Sequence, residues 1–432
     1  MANVAFTIVA KNYIGLAQIL EKSLKSKNQD TAFFIIVADD FSEGFNMEEL
    51  PSNILVAQNE LNISAQNWID MSFKYDLTEF CTSIKPAAFS YFIEKTSFEK
   101  IIYFDPDIYI YSSLNPIYEM LENHSIVLTP HINIIQETFK GDRSESGLMS
   151  TGVFNLGFCG IKRSLSSTKM ISWWYERLID KCYIDNYDSY FTDQKWMDFL
   201  PCFFSSDELY IARHLGMNIA PWNFFERKIF LSDEGLNVCS REDNDEKSNV
   251  PVIFVHYSGY NYNEMKKGNV VQNNISNIKE YEDIKLLTAF YSKVIFEDRE
   301  VFDKYINEKY SFGTFENGVV IKGFHRRIYR SLVNKGLVFE NPFSITNNSL
   351  YQKLKSNGMT KPSIINIDKA TKENLQGVGK KLRMINIVTR LLYKLVGFEK
   401  YLLFIRLMRS FSRFETQIHL VTSNYDDENI KF

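Results

Sequence analysis

Three short apolar runs, residues 4–10 (VAFTIVA), 32–38 (AFFIIVA) and 100–104 (KIIYF), each end abruptly in polar residues. Between the first two, Leu16, Ile19, Leu20 and Leu24 recur at helical spacing, and a further helix is expected over residues 84–94. Near-continuous apolar runs of this length suit strands buried on both faces, and their alternation with helices suits a mostly parallel sheet. Residues 125–129 and 152–158 are further strand candidates. Sheets of this kind gather ligands at the carboxyl ends of their strands. Tyr13, Asp39 and Asp105 all fall at such ends.

The rest of the composition narrows the class. The chain has 432 residues, enough for two or three domains, and 45% of them are hydrophobic, so neither a disordered nor a fibrous chain fits. Net charge is −4, which excludes a generic nucleic-acid binder. Five scattered cysteines with no C-x-x-C pair argue against a disulfide framework or zinc site and suggest a reducing, cytoplasmic setting. The first ten residues lack a basic segment, so no signal peptide is expected, and the longest clean apolar run, residues 32–38, is far short of the roughly 20 residues of a spanning helix. From about residue 284 the pattern turns mostly helical. The expected division is therefore an α/β domain over 1–283 and a helical region over 284–432.

The densest polar signal is Phe104-Asp105-Pro106-Asp107-Ile108. Two carboxylates one residue apart after a buried strand can hold a hard divalent cation on a diphosphate; Asp-Pro-Asp is equally good turn chemistry. His256 closes the apolar run 252–255 and opens His256-Tyr257-Ser258-Gly259. It suits a third ligand or a satisfied core histidine. In Asp193-Gln194, Thr192 or Asp193 would serve equally as a helix N-cap. Asn155 lies inside an apolar run, where its amide needs a partner, either a ligand or a structural bond. No G-x-G-x-x-G, P-loop, H-E-x-x-H or G-x-S-x-G occurs, which removes the commonest rival chemistries. A haloacid-dehalogenase-type phosphatase wants its D-x-D on the first strand with Thr or Val two residues on, and here that position is Tyr109.

Taken in order, Asn12-Tyr13, Lys85, Y-F-D-P-D, N-L-G-F, D-Q and H-Y-S-G resemble the GT-A-fold glycosyltransferases. The resemblance is greatest to the retaining family 8 type that includes glycogenin and lipopolysaccharide galactosyltransferases, and to bacterial surface-polysaccharide transferases. It covers roughly residues 4–262 and implies a Rossmann-like nucleotide-diphospho-sugar transferase domain. By that resemblance Asp105, Asp107 and His256 would hold Mn²⁺ or Mg²⁺. Ala10, Asn12, Tyr13, Lys85, Asp105 and Asn155 would contact the donor, with Asp193 and Gln194 at the reacting sugar. The implied activity is transfer of a hexose, with retention, from a nucleotide-sugar (UDP-linked by expectation) to a glycan or lipid-linked glycan of lipopolysaccharide, O-antigen or capsule. A sugar-nucleotidyltransferase would carry a Gly-rich basic loop where this chain has Ala10-Lys11-Asn12-Tyr13. A non-catalytic, membrane-bound glycan-binding scaffold would have no need of three metal ligands.

The tail adds a separate theme. Residues 380–414 carry nine basic residues against Glu399 alone. On a helical projection Leu403, Phe404, Leu407, Phe411 and Phe414 oppose Arg406, Arg409 and Arg413. Ile385, Val388, Leu392 and Leu395 likewise oppose Arg383, Arg390 and Lys394. Such a helix suits an anionic membrane surface, here the inner face of the cell membrane, or a protein partner.

Overall fold

The computed structural model describes residues 2–41, 50–233, 235–242, 249–272, 281–361 and 377–422. The strands are β1 (Asn3–Val9), β2 (Ala32–Val37), β3 (Ile54–Val56), β4 (Lys100–Phe104), β5 (Ile108–Ile110), β6 (Ile126–Pro130), β7 (Phe154–Lys162), β8 (Ile184–Asp185), β9 (Tyr190–Phe191), β10 (Leu209–Ile211), β11 (Arg227–Ser232), β12 (Gly235–Ser240), β13 (Val250–Pro251) and β14 (Phe254–His256). A seven-stranded sheet runs β10-β6-β7-β4-β1-β2-β3. β1 lies parallel to both β2 and β4, whereas β7 runs antiparallel to β4 and β6. The apolar runs read from the sequence are thus the sheet's centre, each within one or two residues of its expected bounds.

The reversal of β7 matters for the site. It brings that strand's beginning, not its end, to the carboxyl edge of β4, where the Asp105 N–H donates to the Gly157 carbonyl at 2.8 Å. Behind this edge the sheet is held by aromatic packing: Phe6 meets Phe89, Phe92 and Tyr103 at 5.0–5.3 Å between ring centroids. All three of these partner rings are buried, and each such side chain contributes roughly 1.5–3 kcal/mol by leaving water.

The chain forms two compact units, Met1–Ser64 with Leu77–Ser311, and Ala65–Asp76 with Phe312–Phe432. The division does not fall at residue 284. The helices Ile284–Glu297 and Arg299–Tyr305 belong to the first unit, where Leu287, Tyr291 and Phe302 pack with Leu16, Val255 and Tyr257. The second unit contains a helix contributed from far upstream, Ala65–Lys74, whose Phe73 ring packs 4.7 Å from Tyr329 and 5.0 Å from Phe343. Arg326 fixes it, donating to the carbonyls of Ser72, Phe73, Tyr75 and Phe312 at 2.6–3.2 Å.

Two helices, Val378–Val396 and Phe398–Phe411, meet at Gly397, whose φ of 81° lies in the left-handed region. The first buries none of its residues. A 3-10 helix, Phe414–Leu420, then docks on Gly323–Asn334 through Ile418 and through Glu415, which lies 3.4 Å from Arg330 and 3.8 Å from Arg413. Arg413 is therefore committed to Glu415 and is no part of the open basic face expected from the projection. Among the described residues no helix is long and apolar enough to cross a membrane, and all five cysteines are free thiols.

Candidate functional site

Asp105 follows the last residue of β4, and Ile108 N–H closes a turn on the Asp105 carbonyl at 3.1 Å. The turn reading of Asp-Pro-Asp is thus correct, and the turn also aims both carboxylates at one point. β14 pairs antiparallel with β5, setting His256 opposite Ile108. Its Nε2 lies 3.0 Å from an Asp107 oxygen and 3.7 Å from an Asp105 oxygen. One ligand atom from each of Asp105, Asp107 and His256 lies within 4.8 Å of the other two. Two carboxylate oxygens and one imidazole nitrogen are a donor set that suits Mn²⁺ or Mg²⁺, so the residues fit the ion. Burial opposes charging of His256, but the carboxylates of Asp107 and Asp105 outweigh it and raise its pKa. This cluster attracts positive charge.

Gly157 makes the approach possible. A Cβ there would stand 2.4 Å from His256 Cε1 and 2.6 Å from Nδ1, so no larger residue fits without moving the ring.

Beneath the carboxylates lies a buried ion pair. Lys85 begins the helix Lys85–Lys95, and its Nζ lies 2.8 Å from Asp193, 3.7 Å from Asp105 and 4.2 Å from the Tyr103 ring centroid. It also donates to the Leu156 carbonyl at 2.9 Å. Burial works against the ammonium, yet Asp193 and Asp105 more than offset it, and its pKa is raised. Lys85 therefore faces protein acceptors, and it ties the metal-side carboxylate to Asp193. Tyr103 adds a bond to Asp105 from its hydroxyl at 2.6 Å.

Asp193 stands at the N-cap position of the 3-10 helix Gln194–Phe199, but its side chain caps nothing there. The preceding Thr192 has φ 46°, a left-handed conformation costly for a β-branched residue, and its hydroxyl donates to Asp193 at 3.1 Å. Gln194 is clamped between the helix Glu145–Thr151 and β7, its amide donating to the Thr151 carbonyl at 2.7 Å and its oxygen accepting from Leu156 N at 3.5 Å. Asn155 spends its oxygen on structure, accepting from Gly157 N at 3.1 Å and Asn218 Nδ2 at 3.1 Å. Its Nδ2 faces His131 Nε2 at 3.5 Å.

A cavity of about 380 Å³ opens over this edge, lined by Ala10, Tyr13, Asp105, Asp107, Thr78, Thr82 and Tyr260 among others. Ala10 and Tyr13 thus share it with the two aspartates. Asn12 sits between them in the chain and is half-buried, whereas Lys85, Asn155, Asp193, Gln194 and His256 lie buried around the carboxylates. Asp39, another strand-end residue, is closed off, accepting from Ser311 N at 2.9 Å. Thr82 carries no motif that sequence reading would single out. His131 likewise escaped notice, since histidine spacing gives no hint that it backs Asn155.

No protein-family model matches the chain. It is similar to the uncharacterized protein YfnF of Bacillus subtilis (strain 168), 26% identical over 276 residues, covering 62% of this chain and 86% of that one. Among solved structures it is similar to the galactosyltransferase LgtC in complex with donor and acceptor sugar analogs, at 16% identity and TM-score 0.38, over 71% of this chain and 97% of that one. It is also similar to the glycosyltransferase GlyE of Streptococcus pneumoniae TIGR4, at 14% identity and TM-score 0.36, over 73% and 67%. Mouse xyloside xylosyltransferase 1 is similar at 13% identity and TM-score 0.34, over 59% and 96%.

Proposed function

We propose that this chain is a metal-dependent glycosyltransferase that moves a hexose from a UDP-sugar to a bacterial surface glycan with retention of configuration. The observation that carries the reading is the convergence of Asp105, Asp107 and His256 within 4.8 Å, joined through Lys85 to Asp193 at 2.8 Å. Asp105, Asp107 and His256 would hold Mn²⁺ or Mg²⁺, which when bound offsets the charge of the departing diphosphate. Ala10, Asn12 and Tyr13 are assigned to the nucleotide, and Asn155 and Gln194 to the sugar. Lys85 keeps Asp193 oriented and the aspartate cluster from repelling itself.

Retention is the reading the family resemblance implies, and the state of Asp193 bears on which retaining route it would take. Its carboxylate is buried and ion-paired, which disfavours it as a nucleophile, and the amide of Gln194 is a poor one. Both support front-face substitution. The acceptor oxygen bonds to the anomeric carbon as the carbon–phosphate oxygen bond breaks, and the acceptor's proton goes to the departing phosphate oxygen. The deciding experiment is an NMR spectrum of the product from an α-linked UDP-sugar. An α-linked product is expected, and a β-linked product overturns the mechanism. Peripheral attachment to an anionic membrane through residues 378–411 completes the reading. It is supported by the nine exposed apolar side chains from Leu382 to Phe398 set among Arg383, Arg390 and Lys394.

A further inference from the structure

Away from the strand-end cluster, aromatic rings form a continuous surface cluster in which Phe199 and Phe203 are exposed and Trp173, Tyr190 and Trp196 are half-buried. Tyr190 stacks on Trp196 at 5.7 Å and 25° between planes, and Trp173 meets Trp196 edge-on at 6.2 Å. Trp173 also meets Phe203 at 5.3 Å, and Phe203 stacks on Phe199 at 5.8 Å and 8°. Phe199 and Phe203 are 50% and 49% exposed. Beside them is a cavity of about 430 Å³ whose lining includes Asp188, Tyr190, Lys195, Trp196, Asp198 and Phe199. That volume lies within the range of small-molecule sites, about 300–1,000 Å³.

The surface is rigidly built. Trp196 is held by its indole N–H, which donates to the Lys181 carbonyl at 3.1 Å. Asp198 accepts from Val153 N at 2.8 Å and pairs with Lys195 at 2.8 Å. A 3-10 helix has about three residues per turn, so within Gln194–Phe199 the pair Trp196 and Phe199 shares one face. Gln194 and Met197 share another, and both of these are buried. One short helix therefore carries Gln194 on its inner side and the aromatic surface on its outer side.

We propose that this surface, Tyr190, Trp196, Phe199 and Phe203 with the adjoining cavity, binds a saccharide unit of the acceptor chain. A pyranose offers an apolar C–H face, which suits exposed aromatic rings, and a rim of hydroxyls, which suits fixed carboxylate and ammonium groups such as Asp198 and Lys195. Flat, pre-oriented rings also lose little entropy on binding. That the saccharide belongs to an acceptor rests on the transferase reading above; that the surface takes a saccharide does not.

The test is to apply the full chain, without nucleotide or metal, to an array of diverse oligosaccharides, beside Tyr190→Ala, Phe199→Ala and Phe203→Ala variants. Thermal melts accompany each, and the half-exposed rings of Phe199 and Phe203 make those two safe for folding. A parallel calorimetric titration follows UDP with Mn²⁺. The wild type is expected to retain a subset of oligosaccharides, the variants to lose tenfold or more in affinity, and UDP–Mn²⁺ binding to stay unchanged. Retention of no oligosaccharide by the wild type overturns the proposal, and so does equal retention by the variants. A shift in oligomeric state in the variants without saccharide binding also overturns it, by making the surface a contact between copies. Saccharide retention without UDP–Mn²⁺ binding would sustain this proposal while removing the transferase reading.

Discussion

Gly157 sets how closely His256 approaches the two aspartates. Gly157→Ala should weaken Mn²⁺ binding about tenfold, roughly 1.4 kcal/mol, measured by calorimetry on a variant whose thermal melt stays close to wild type. Unchanged affinity would mean that His256 is no ligand. Gln194→Ala should slow turnover about 10- to 100-fold with little change in donor binding, the mark of a lost transition-state contact of about 1.4–2.7 kcal/mol. His131 gives a pH-dependent signature. Burial holds its pKa down at about 4, against about 6.5 in the unfolded chain. Between those values the unfolded state binds more protons. The stability held by keeping His131 neutral is thus complete above about pH 6.5 and lost as pH falls toward 4. In urea unfolding at pH 7 and pH 5, His131→Asn should lose less stability than wild type across the interval. The metal candidates were legible because Asp-x-Asp and His256 end apolar runs, and strand ends are where a sheet exposes side chains. The bond from Asn155 to Asn218 at 3.1 Å and the seat made by Gly157 were not. Each depends on β7 running backwards, and no local pattern announces a strand's direction.

At the scale of elements, the helices Val378–Val396 and Phe398–Phe411 present Ile385, Val388, Leu395, Leu403 and Phe404 to solvent. Replacing Arg383, Arg390, Lys394, Lys400 and Arg406 by Gln should release the protein from vesicles containing anionic lipid, since each surface Lys or Arg contributes about 1 kcal/mol there. Unchanged co-sedimentation at low and high salt would assign the helices to a protein partner. Substitution is a cleaner test than truncation, because removing the tail also removes Ile418 from its buried cluster. The amphipathic pattern was readable from sequence, but the break between the two helices was not. Gly397 splits the helices, and the 3-10 helix after Arg413 takes Phe414 out of the projected apolar face. The strands were legible for a different reason: burial on both faces writes itself as a run of apolar residues.

For the molecule as a whole, the boundary near residue 284 was expected where strands give way to helices, yet helix content does not decide which core a helix joins. Residues 284–305 complete the first unit's packing, and Ala65–Asp76 completes the second's. Expressed alone, residues 312–432 should lack Phe73 and give no cooperative melt by circular dichroism; a sharp transition would show that the upstream helix is dispensable. Within the intact chain, Arg326→Leu leaves four buried carbonyls without their donor and should cost on the order of 3–5 kcal/mol, by analogy with a broken buried ion pair. The interrupted connectivity also has a temporal meaning. During synthesis the helix Ala65–Lys74 leaves the ribosome long before Phe315, Tyr329 and Phe343, the rings it packs against. Roughly 240 residues separate the end of that segment from the return to its unit, on the order of 10–50 s of translation. For that interval Trp68, Met71 and Phe73, all buried in the finished protein, are exposed to the cell's chaperones.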